Sequence, residues 1–174
     1  MKIIITGGGG FLGSQLAATL LNRGELTGPS GSQEPIDELV LIDARFVTPQ
    51  NDTRMQQIVG DISNRDVIDE AMGNSQNISV FHLASIVSGE CEEHYDDALR
   101  VNLDGGRNIF EAARAAPGRP RVVFAGSIAS YGGVAMPTPV SDLAKQTPQT
   151  TYGMTKAMCE LLVNDHTRKG HFDG

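Results

Sequence analysis

An α/β fold, a doubly wound parallel sheet with helices on both faces, is predicted by three observations. A β-branched run, Lys2 to Thr6, ends in glycines and gives way at once to a helical pattern, which reads as strand, tight turn, helix. Four further apolar runs of strand length recur along the chain, separated by helix-like or loop-like stretches, as crossover connections require. Several of these runs end in small or polar residues, Gly60-Asp61-Ile62 and Ala84-Ser85 among them, where a ligand sits outside the carboxyl ends of parallel strands.

The elements follow in order. Phe11 to Arg23 carries Leu12, Leu16, Leu20 and Leu21 at helical spacing. Gly24 to Pro35 is rich in Gly, Pro and Ser and reads as a surface insertion, because a second strand resumes at once over Glu38 to Ile42. A third strand is expected around Gln56 to Val59 and a fourth over Ile78 to Leu83. From about Glu92 to Ala116 one long helical pattern carries Ala98, Val101, Asn102 and Ile109, with Gly105-Gly106 inside it and Pro117-Gly118 stopping it. Arg121 to Ala125 is the fifth strand, Ser127 to Thr150 a long Pro-bearing loop, and Thr151 to Arg168 the last helix.

The glycine segment Gly7-Gly8-Gly9-Gly10-Phe11-Leu12-Gly13 has the parts of a dinucleotide cradle. Gly7 permits the turn, Gly10 lets backbone approach a pyrophosphate, and Gly13 lets the helix pack closely, while the amides near Gly10, Phe11 and Leu12 form the anion site. Its spacing is G-x-x-G-x-x-G rather than G-x-G-x-x-G, and Gly9 leaves the register open. Asp43 ends the second strand, where a carboxylate accepts from both ribose hydroxyls and repels a 2′-phosphate, so the cofactor is expected to be NAD; Arg45, two residues on, offers a phosphate contact. The Gly/Pro/Ser insertion accounts for the long separation of Asp43 from the glycines.

Tyr152 and Lys156 stand one helical turn apart on one face, and the ammonium favours the phenolate that a proton-abstracting tyrosine needs. Ser127, at the end of the fifth strand, is placed to hold a substrate oxygen. Thr150 and Thr151 serve either a substrate carboxylate or a helix N-cap. Cys91, Glu92, Glu93 and His94 make at best half of a metal site, so no metal is expected; His166 and His171 show no partner.

A formal net charge of −7 and the lack of a basic run exclude nucleic acid and anionic membranes as partners. The two cysteines, Cys91 and Cys159, read as free thiols of a reducing compartment. The strand-like start at Met1-Lys2 leaves no room for a signal peptide, and no apolar stretch reaches bilayer length, so a cytoplasmic protein is expected.

These segments, together with His82-Leu83-Ala84-Ser85, Val101-Asn102-Leu103-Asp104-Gly105 and Ser127 before Tyr131-Gly132, resemble the extended short-chain dehydrogenase/reductase family, that is, the NAD-dependent epimerase/dehydratase enzymes. The resemblance implies a Rossmann-like fold in which Asp61 and Ile62 contact adenine and Leu83, Ala84 and Ser85 line the nicotinamide ribose. It further implies that Asn102 supports the proton relay around Lys156, and that the two long helices pair across a homodimer. Val87-Ser88-Gly89-Glu90, Thr147 to Thr150 and Glu160 to Asp165 resemble more closely its sugar-acid dehydrogenases, which implies NAD-dependent oxidation of the 2-hydroxyl of a small sugar acid. A nucleotide-sugar epimerase or dehydratase and a non-catalytic NAD-binding module are the alternatives. Gly126 departs from the Ser or Thr common in the family and is expected to loosen its loop. The family continues into a sixth strand and a substrate domain. Residues 1–174 are therefore expected to be an incomplete NAD-binding domain, whose exposed sheet edge predicts aggregation or weak stability.

Overall fold

A computed structural model describes residues 1–47, 52–134 and 136–174. Its main sheet is built from β1 (Lys2–Thr6), β4 (Glu38–Asp43), β5 (Met55–Val59), β6 (Ile78–His82) and β7 (Arg121–Phe124), in the order β5-β4-β1-β6-β7. All four pairings are parallel, with Thr6 opposite Ile42 on one side and His82 on the other. Chain direction across the sheet reverses beside β1, so a crevice opens at the carboxyl ends of β1 and β6.

Alternation along the strands builds two cores. Ile4, Val40, Ile42, Ile78, Val80 and Val122 face α2 (Arg65–Met72), α5 (Gly105–Ala115) and α6 (Thr151–Arg168). Ile3, Ile5, Leu39 and Leu41 face α1 (Phe11–Arg23) through Ala17 and Leu20. Burial on both faces explains why these strands read as continuous apolar runs. The bounds of α1 and α6 match their sequence patterns; Gly24 ends α1 in the left-handed region.

The structure adds to or departs from the sequence reading in four places. The Gly/Pro/Ser insertion folds as an antiparallel hairpin, β2 (Glu25–Thr27) with β3 (Gln33–Pro35), at the amino-terminal edge of the sheet, where Arg121 donates to Thr27 O at 3.2 Å. α2 is an added crossover helix, capped by Asn64, whose side chain accepts from Asp66 N at 3.0 Å. The long helical pattern is broken into α3 (Ser88–Glu93), α4 (Tyr95–Ala98), a π-helical turn over Leu99–Asp104, and α5. Finally, after α6 the chain returns to the sheet. Phe172 is fully buried, and Asp173 makes an isolated parallel bridge to Arg121, its carbonyl accepting from Val122 N at 2.7 Å on the outer side of β7.

Candidate functional site

The glycine turn is held by neighbours that leave no room for side chains. Gly7 has φ +74°, and a Cβ there would stand 2.8 Å from Ala84 N; a Cβ on Gly13 would stand 2.1 Å from Gly7 O. Gly7 N and Gly8 N both donate to Ile42 O, which fastens the turn to β4. Gly10 is the N-cap of α1 and has no side-chain cap, so the first-turn amides point into the crevice. Gly9 N donates to Asp43 Oδ2 at 2.9 Å and Arg45 N to Oδ1 at 3.2 Å, which fixes the register left open by the sequence and pins the Asp43 carboxylate at the end of β4.

Around this turn lies a cleft of about 640 Å³. Gly7, Gly10, Phe11, Leu12, Gly13, Asp43, Asp61, Ile62, Leu83, Ala84 and Ser85 all line it, as do Ala44, Arg45, Gly60, Ile86, Glu90, Arg100 and Val101. Free amides at one end, a carboxylate at a strand end and apolar walls between them fit a dinucleotide lying across the strand ends. The wall at Ala84 is set by a buried pair: Thr6 Oγ1 lies 2.7 Å from His82 Nδ1 and accepts from Ala84 N at 3.2 Å. His82 is kept neutral, its pKa pushed down to about 3 by burial and then by the Lys156 ammonium.

Asn102 lies behind the cleft wall rather than on it. Its Oδ1 accepts from Ile86 N at 2.7 Å and its Nδ2 donates to Ile86 O at 3.1 Å, so it grips the loop after β6 from within the core. The π-helical turn places Asn102 inward while leaving Arg100 and Val101 on the cleft side. Arg100 pairs with Asp61, a contact absent from the sequence reading. Burial alone would raise the Asp61 carboxyl, but the Ser63 N–H and Arg100 hold it below its ordinary value.

At the carboxyl end of β7 the chemical pair is assembled on α6. Lys156 is buried; its Nζ donates to Ala125 O at 2.8 Å and stands 5.6 Å from the centre of the Tyr152 ring. Burial lowers the Lys156 pKa, against the pull of Cys159 and Glu160. Ser127 caps a 3₁₀ turn, Ile128–Ser130, by accepting from Ala129 N at 3.2 Å, and its hydroxyl hydrogen has no acceptor among the described residues. Thr150 caps α6 by accepting from Gly153 N at 3.0 Å, and Glu92 Oε1 accepts from Thr151 N at 2.7 Å.

One expectation is corrected and one position gains a neighbour. Glu160 fills the space beside Gly126: a Cβ on Gly126 would stand 2.5 Å from Glu160 Oε1, and the same carboxylate binds Gln146 and Ser130. His166 and His171 are partners of one another, Nδ1 to Nδ1 at 3.0 Å, and His166 stacks on Phe172 at 5.1 Å between ring centres. Cys91 and Glu92 turn apart, the thiol to Ile86 O and the carboxylate to α6.

A family model described as the NAD dependent epimerase/dehydratase family matches residues 3–174. D-erythronate dehydrogenase of Cupriavidus necator is 43% identical over 176 residues, covering 100% of this chain and 53% of that protein. Its namesake in Haemophilus influenzae is 40% identical over 175 residues, covering 100% of this chain and 52% of that protein. The chain thus spans about half the length of the curated relatives it matches. Among solved structures, a nucleoside-diphosphate-sugar epimerase from Agrobacterium tumefaciens superposes with a TM-score of 0.82 at 36% identity, covering 100% of this chain and 51% of that one. Crevice, glycine turn and match over nearly every residue agree: the chain belongs to the NAD-dependent epimerase/dehydratase family.

Proposed function

We propose that residues 1–174 form the NAD-binding part of a dehydrogenase that oxidises the 2-hydroxyl of a small sugar acid, D-erythronate, to the 2-oxo acid. The observation that carries this reading is Lys156, a buried ammonium beneath the Tyr152 ring, in a domain whose strand ends open a cleft shaped for a dinucleotide. The identity to D-erythronate dehydrogenases supports the substrate.

The residues divide the work. The amides of Gly10, Phe11 and Leu12 hold the pyrophosphate, Asp43 the adenosine ribose, Asp61 and Ile62 the adenine, and Leu83, Ala84 and Ser85 the nicotinamide ribose, with Asn102 acting through Ile86. Bound there, NAD supplies the hydride acceptor. Tyr152 takes the proton of the substrate hydroxyl, and Ser127 donates its free hydrogen to the same oxygen to fix the reacting carbon. Lys156 has three N–H groups and spends one on Ala125 O, leaving two for the Tyr152 oxygen and a ribose hydroxyl.

No helix among the described residues is long and apolar enough to cross a membrane. The free, buried Cys91 and Cys159 support a cytoplasmic location. Met158 and Leu161, exposed on α6, support a homodimer formed through α5 and α6.

Calorimetric titration of the chain with NAD and with NADP, followed by an assay for NADH formed from D-erythronate by a chain extended over the full length of its relatives, tests the reading. Preferential NAD binding with NADH formation is expected. Binding without turnover by the chain extended over its relatives' full length favours a non-catalytic NAD-binding module, and no binding by a folded chain overturns the proposal. The likeness to the nucleotide-sugar epimerase supports a second reading, in which the products are an isomerised nucleotide sugar and no net NADH.

A further inference from the structure

Lys156 keeps its charge in the core without a carboxylate against it. The titratable groups around it are Cys91 on α3, His82 on β6, and Tyr152, Cys159 and Glu160 on α6. Glu160, the one carboxylate of that set, is turned to Gln146 and Ser130, and among the described residues Lys156 makes no ion pair with it. Two neighbours meet the ammonium closely. Nζ donates to Ala125 O at 2.8 Å, and it stands over the Phe124 ring, 4.8 Å from its centre, nearer than the 5.6 Å to the Tyr152 ring. At that separation the negative face of an aromatic ring attracts a cation, and more strongly where water is excluded.

The Phe124 ring is itself braced. It ends β7 opposite His82, the two ring centres 5.5 Å apart, and Phe110, fully buried, meets it edge to face at 5.9 Å. His82 is neutral, so the ring meets one cation and not two. A carboxylate in the place of the ring would work against proton abstraction. It would take N–H groups from Lys156 and cancel much of the positive field that favours a Tyr152 phenolate. A ring face attracts the ammonium without adding a net charge and without taking an N–H.

We propose that Phe124 is the positioning residue for Lys156: the face of its ring holds the ammonium beneath Tyr152 while leaving the charge uncancelled and two N–H groups free. The inference rests on the dehydrogenase reading above for its catalytic meaning, and adds to it a residue that acts through Lys156.

The test follows the Lys156 side chain by heteronuclear NMR, labelled at Cε, through a pH titration of the chain. The unmodified chain is compared with Phe124→Leu and with chains carrying mono- or trifluorophenylalanine at position 124. Fluorine drains the ring face of negative charge while keeping an aromatic ring of nearly the same shape. Losing the attraction disfavours the charged form, so Lys156 should titrate about one pH unit lower in Phe124→Leu, with the fluorinated chains between, in order of fluorine count. The upfield ring shift of the Lys156 Hε protons should weaken in Phe124→Leu and persist in both fluorinated chains. An unchanged titration throughout, or a shift in Phe124→Leu with none on trifluorination, would mark the ring as packing alone and overturn the proposal. Should Phe124→Leu not fold, the fluorinated pair decides by itself. Turnover by these variants in the chain extended over the full length of its relatives should fall by up to about tenfold, with the KM for NAD nearly unchanged. A titration that follows the fluorine order while turnover does not would overturn the role of Lys156 in the dehydrogenase reading and leave its attachment to Phe124 standing.

Discussion

Glu160 occupies the space that a side chain at position 126 would need, its Oε1 lying 2.5 Å from where a Cβ on Gly126 would stand. Because Gln146 and Ser130 hold that carboxylate, it cannot simply swing away. Gly126→Ala should therefore destabilise the fold by about 1 kcal/mol through overpacking. In a Glu160→Ala background the same change should be neutral or stabilising. Urea unfolding of the four chains of this cycle measures the coupling.

Asp43→Asn removes the charge that a 2′-phosphate would meet while keeping an oxygen for Gly9 N. NAD affinity should fall about tenfold and the preference for NAD over NADP should shrink by at least as much, read by calorimetry.

Tyr152→Phe keeps the ring over Lys156 and removes the proton acceptor. Turnover of the sugar acid should fall by roughly 10²–10⁴-fold. NAD affinity should stay within about twofold, since the ring and its packing are retained. Comparable activity in the variant would remove Tyr152 from the chemistry.

Acid should unfold the domain through its histidines. His82, with a pKa near 3 in the fold, titrates near 6.5 when unfolded, so the unfolded chain binds more protons between these values. Its contribution is complete above about pH 6.5 and is lost as pH falls towards 3, at up to about 1.4 kcal/mol per pH unit. His166, also lowered by burial, acts in the same direction. Stability measured by urea from pH 7 to 5 should decline, and His82→Gln should flatten the slope.

Asn102→Ala leaves the Ile86 amide and carbonyl without their partner in the core. A loss of about 2–3 kcal/mol is expected, with weaker NAD binding because the wall at Ser85 and Ile86 loosens. Asn102→Asp, which keeps the acceptor for Ile86 N, should recover part of the affinity. Denaturation and calorimetry on the same preparations separate the two effects.

What could be read from the residue order was what local pattern controls. β1, the glycine turn and α1 are contiguous and each announces itself: the β-branched run, the glycines, the leucines at helical spacing. α6 is bounded by a threonine cap, and the cleft residues fall at strand ends that the apolar runs already locate. The long helix was misjudged because a π-helical turn leaves the spacing of Ala98, Val101 and Ile109 looking regular while rotating Asn102 inward. α2 was missed because it is short, although Asn64 and Gly73 mark its ends. Arg100, Glu160 and the His166–His171 pair draw their roles from contacts between segments, which spacing cannot express.

The hairpin between α1 and β4 sits at the opposite end of the strands from the cleft, and this has an evolutionary and a practical meaning. The distance between the glycine turn and Asp43 counted along the chain is free to drift, because their meeting is fixed by Thr6 lying opposite Ile42, not by the number of residues between them. Fingerprints that count residues will mis-score such chains, whereas strand register will not. The hairpin tip around Gly31, where a Cβ would meet nothing within 4 Å, is accordingly the place to graft a tag or a fluorophore without touching the nucleotide.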